Sequence, residues 1–70
     1  MCIFTCRSMT VALRAERELR EGRISGEVVT IEPSLTKRGC AYGIAVKTDA
    51  CEKTEKILRK RHVPFGEVIR

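Results

Sequence analysis

Two helix-patterned stretches, each preceded and followed by a short apolar run, constrain the fold of this chain more than any other feature of its sequence. Residues 2–6, Cys-Ile-Phe-Thr-Cys, form an apolar run closed by charge at Arg7, as in a short buried strand. From Met9 to Glu21, Val11, Ala12, Ala15 and Leu19 recur at helical spacing, with Leu13 flanking that stripe and arginines and glutamates on the other face. Ser8 or Thr10 can cap this helix through a hydroxyl, Glu16 and Arg20 form an i,i+4 pair, and Gly22 is a natural residue just past its end. Glu27 to Glu32 is rich in β-branched residues and is stopped by Pro33, which lacks a backbone donor. Residues 33–43 read as a loop and Ile44 to Lys47 as a third strand. A second helix opens at Asp49, with Glu52 placed for a reciprocal cap. Cys51, Thr54, Ile57, Leu58 and His62 lie on or beside its inner face, and Glu52–Lys56 and Glu55–Arg59 support the outer one. Pro64 ends it, and Phe65 to Ile69 supplies a last strand.

The order β-α-β-β-α-β predicts a single domain spanning 1–70. Two right-handed β-α-β crossovers interlocked by a central hairpin make an α+β, ferredoxin-like two-layer sandwich, with antiparallel sheet order 4-1-3-2 and both helices on one face. The end of the first strand, the start of the first helix, the loop between strands two and three and the end of the second helix then share one edge. Cys6 and Cys40 belong to that edge and Cys51 to the other. With 70 residues and three aromatics, Phe4, Tyr42 and Phe65, the core has to be aliphatic, and little of it can be spared.

No apolar run approaches the ~20 residues of a membrane span. The first residues, Met1-Cys2-Ile3-Phe4-Thr5-Cys6, have no preceding basic region and too short an apolar run for a signal peptide, so a cytoplasmic location is expected. In that reducing compartment the four cysteines read as thiols. Their spacings of 4, 34 and 11 positions do not make the close pairs of a zinc site, and no second cysteine accompanies Cys6 before Gly22, as a metallochaperone would need. No metal or cofactor is expected. The net charge of +5 and the basic run Lys56–His62 suggest a nucleic-acid contact at first. The third strand, Ile-Ala-Val-Lys, carries none of the aromatics on which RNA readers of this fold stack bases, so the run reads as a solvated helix end and specific nucleic-acid binding is not expected.

Cys40 is the residue with the most chemistry. Gly39 and Gly43 bracket it, Lys37 and Arg38 precede it, and Arg7 belongs to the same edge; positive charge of this kind stabilises a thiolate. The plain reading is a small loop side chain packed under Tyr42. Cys6, just ahead of the first helix, has an equally plain reading as a small hydrophobe of a central strand. Cys2 and Cys51 read as core.

Phe4-Thr5, the helix pattern Ala12-x-x-Ala15-Glu16-x-x-Leu19, Pro33, the loop Cys40 and the ending Val63-Pro64-Phe65-Gly66 together resemble a small bacterial and archaeal family described as selenium/sulfur carrier proteins. In that family a proline follows the second strand and a cysteine arrives seven residues later, as Pro33 and Cys40 do here. The chain has Cys40-Ala41 where the family has Cys-Gly, and Pro33-Ser34 where it has Pro-Arg. The resemblance implies a carrier, not an enzyme, that holds sulfur or selenium on Cys40 as a persulfide or selenosulfide. Cys6 is then the candidate resolving thiol, Arg7, Lys37 and Arg38 the anion-stabilising set, and Pro33, Gly39 and Gly43 the residues that shape the loop. Its partners would be sulfur or selenium donor and acceptor proteins. The alternative is a small regulatory or interaction domain without thiol chemistry that self-associates as a homodimer through the helix-free face of its sheet. Ile3 and Phe4, Val28 and Val29, and Val68 and Ile69 leave neither set of strand positions clearly polar.

Overall fold

Each element forms where its local chemistry directs. The computed structural model describes residues 1–32, 34 and 41–70, as β1 (Cys2–Cys6), α1 (Met9–Glu21), β2 (Glu27–Thr30), β3 (Tyr42–Val46), α2 (Cys51–Lys60) and β4 (Val68–Ile69). The strands make one antiparallel sheet in the order β2-β3-β1-β4, the expected 4-1-3-2 arrangement. Cys2, Phe4, Ile44 and Val46 on one face pack with Ala15 and Leu19 of α1 and Leu58 and Cys51 of α2, so both helices cover the same side. Phe65 adds an edge-to-face contact with Phe4, their ring centroids 5.2 Å apart.

Ser8 caps α1 as expected, its Oγ accepting from Val11 N at 3.3 Å. Both helices end in the same device. Arg23 N donates to Arg20 O and Ile24 N to Leu19 O, while His62 N donates to Arg59 O and Val63 N to Leu58 O. Arg23 and His62 accordingly take positive φ, 63° and 57°. These are Schellman closures, each with an apolar pair, Leu19–Ile24 or Leu58–Val63, beneath it. The left-handed position past α1 therefore falls on Arg23 and not on Gly22, which instead lets the helices approach: a Cβ there would lie 2.8 Å from Ile57 Cδ1. His62 is exposed and serves as a helix terminator, not as part of the inner face of α2.

Three further expectations need correction. Gly43 and Tyr42 are not loop residues but the start of β3, because Tyr42 pairs with both Cys6 and Thr30 and Gly43 with both Thr5 and Val29. Gly43 is required by packing on the helix-free face, where a Cβ would meet Ile31 Cδ1 at 2.8 Å and both Ile3 Cγ2 and the Phe4 carbonyl oxygen at 2.9 Å. Asp49 does not open α2: Thr48–Ala50 is a 3-10 turn, Ala50 precedes the helix, and no side chain caps it. Glu16–Arg20 and Glu55–Arg59 form, but among the described residues Glu52–Lys56 is not an ion pair. No helix among the described residues is long and apolar enough to cross a membrane.

Candidate functional site

Antiparallel pairing brings the end of β1, the start of α1, the end of β2, the start of β3 and the end of α2 to one edge. Cys6 closes β1 there, buried at 1% exposure, with its sulfur 3.6 Å from the Phe4 carbonyl oxygen. It stands two residues ahead of the Ser8 cap, where the unpaired N–H groups of the first turn favour negative charge. Arg7 follows and is exposed. Across the ladder Tyr42 sits opposite Cys6, and Ala41 accepts a hydrogen bond from Ile31 N at 2.8 Å, closing the hairpin immediately beyond Cys40 in the chain. Pro33, Lys37, Arg38, Gly39 and Cys40 lie outside the described residues.

On the other side of Cys6, Thr5 N donates to Glu67 O and Gly66 N to Thr5 O, fixing the segment after α2 against β1. That segment helps to line an open cavity of about 600 Å³ bordered by Leu58, Arg59, His62 and Phe65. Arg59 is its cation, but it is already engaged. It donates to Glu55 Oε2 from Nε at 3.2 Å and from Nη2 at 3.1 Å, and its guanidinium lies 5.3 Å from the Phe65 ring centre. The sequence pattern indicated the Glu55–Arg59 pair but not the stacking on Phe65, which depends on the turn after Pro64.

The opposite edge holds what sequence reasoning missed. Cys2 and Cys51 are core residues, as expected, but they are not thiols: they form a disulfide, with Cα atoms 5.9 Å apart. Cys2 begins β1 on the helix-facing side and Cys51 is the first residue of α2, which passes over that end of the strand. Forty-nine positions separate them, and only the crossover topology brings them together. Among the described residues no group of His, Cys, Asp and Glu is arranged to hold a metal ion.

No curated protein and no solved structure matches the chain. A family model does match, and it runs from residue 1 to residue 70. By that match over its whole length, the chain belongs to the family described as putative Se/S carrier protein-like.

Proposed function

We propose that this protein is a carrier that holds sulfur or selenium on Cys40 and has no catalytic turnover of its own. The observation that carries the reading is the end-to-end family match. The edge geometry supports it. Ala41, one peptide bond from Cys40, closes the hairpin beside Tyr42, and Tyr42 pairs with Cys6. In the loading step the Cys40 thiolate attacks the terminal sulfur of a donor persulfide. A new S–S bond forms on Cys40, the donor's S–S bond breaks and the donor thiolate leaves. A donor selenosulfide hands over selenium in the same way. In the release step the Cys6 thiolate attacks the Cys40 sulfur, giving a Cys6–Cys40 disulfide and expelling hydrosulfide or hydroselenide. Two external thiols then reduce that disulfide. Arg7, Lys37 and Arg38 stabilise the anions at each stage, and the partners are the donor and acceptor proteins.

The experiment is a race for a thiol-directed alkylating reagent on the native protein, read peptide by peptide. Cys40 is expected to label well before Cys6, which is 1% exposed, while Cys2 and Cys51 are held in a disulfide and do not label. A Cys40 that labels last would remove the basis for this mechanism. Self-association is the second reading, favoured by the half-exposed Ile3, Val29 and Ile69 on the helix-free face.

A further inference from the structure

We infer that Cys2–Cys51 is a reversible two-electron redox site, separate from the carrier edge, that is opened by small anionic thiols. Three features at one place support this. The fold delivers two cysteines to within 5.9 Å between Cα atoms, at the end of the sheet opposite Cys6. One of them, Cys51, is the first residue of a ten-residue helix that no side chain caps; its own N–H donates to Thr48 O, and the positive end of the helix dipole favours a thiolate there. Beside it opens a cavity of about 340 Å³ lined by Arg23, Lys47, Lys53, Asp49 and Ala50. Three cations face one carboxylate, and Ala50 is the residue that leads into Cys51.

The chemistry follows from which sulfur leaves more readily. A thiolate RS⁻ drawn in by the cations attacks Cys2 Sγ. An R–S–S–Cys2 bond forms, the Cys2–Cys51 bond breaks, and Cys51 departs as the stabilised thiolate. A second RS⁻ attacks the R-side sulfur, releasing RSSR and the Cys2 thiolate. Two external thiols are oxidised and one disulfide is reduced. The reverse sequence, with RSSR as oxidant, restores the bond. Both sulfurs are buried, so attack requires the Thr48–Ala50 turn, held by a hydrogen bond from Ala50 N to Lys47 O at 2.9 Å, to move aside. Reduction cuts the one covalent tie between β1 and α2 among the described residues.

The test equilibrates the whole protein in glutathione buffers and counts alkylatable sulfur at residues 2 and 51 by peptide mass. It then compares reduction rates with mercaptoethanesulfonate, an anion, and cysteamine, a cation. Oxidising buffer should leave both positions blocked, and excess reduced thiol should open both while lowering Tm by roughly 15–30 °C. The anionic thiol should react on the order of ten times faster than the cationic one, and Lys47→Glu with Lys53→Glu should erase that preference. Two open thiols in oxidising buffer, a bond that excess thiol cannot reduce in the folded protein, or equal rates for the two reagents would each overturn the inference. The carrier reading uses Cys40 and Cys6, so either can fail while the other stands.

Discussion

Arg23 and His62 show how a single position can be settled by backbone geometry and not by chemistry. Histidine near a basic helix end invites a catalytic or nucleic-acid reading, yet His62 is exposed and sits at φ 57°, where the Schellman closure of α2 demands a left-handed residue. Arg23 plays the same part after α1 at φ 63°. A side chain with a Cβ costs roughly 1–2 kcal/mol in that conformation, and glycine avoids most of it. His62→Gly is therefore expected to stabilise the protein by about 1 kcal/mol, raising Tm by roughly 4–8 °C in a thermal melt. A lower Tm would mean that the imidazole makes a contact the fold depends on. Neither position could be read from the sequence, because the usual marker, a glycine just past the helix, is displaced by one residue to Gly22 after α1 and absent after α2.

Among the elements, β3 departs most from its sequence reading. Glycines on both sides of Tyr42 and Cys40 read as turn punctuation, but Gly43 lies within a central strand, bonded to β1 on one side and β2 on the other. Its missing side chain leaves room for Ile31 and Ile3 to meet over the sheet. Gly43→Ala places a methyl within 2.9 Å of the Phe4 carbonyl oxygen, and backbone cannot yield as a side-chain tip can. The expected loss is about 1–3 kcal/mol, measured by denaturant unfolding. An unchanged midpoint would show that Ile3 and Ile31 simply move. β1 and α1 were legible because their signals are local: the Cys2–Cys6 run, the Ser8 cap and the Ala12–Ala15–Leu19 stripe. β2 and β4 are shorter than the runs read from the sequence, Glu27–Thr30 and Val68–Ile69, and α2 closes at Lys60, ahead of Pro64. The start of α2 was not legible, because Asp49 and Glu52 make a plausible cap on paper while the chain completes a 3-10 turn first.

For the molecule as a whole, the order of elements was enough to derive the sheet order, since handedness and short connections leave few alternatives. The Cys2–Cys51 bond was not derivable in the same way. It depends on where α2 crosses the first strand, and the compartment argument favoured thiols. On the helix-free face, Thr5, Gly43 and Ala45 are buried among larger neighbours while Ile3, Val29 and Ile69 remain half-exposed. If a second copy covers that face, light scattering at micromolar concentration should report a dimer that Val29→Lys converts to monomer; a wild-type monomer removes the reading. The candidate carrier site was legible only in part: the apolar run of residues 2–6 already read Cys6 as buried and the topology sets it and the hairpin end at one edge, but Tyr42 as its ladder partner follows only from the register of β3. The proposed carrier role depends on the Cys40 sulfur as the atom that accepts the cargo. Its most direct test is to incubate the protein with a cysteine desulfurase and cysteine, or with a selenosulfide donor, and to weigh each cysteine-bearing peptide without reduction. One added sulfur or selenium atom on the Cys40 peptide, lost in Cys40→Ser and retained in Cys51→Ser, is the predicted result. An adduct on Cys2, Cys6 or Cys51 in place of Cys40, or none on any cysteine, would contradict it.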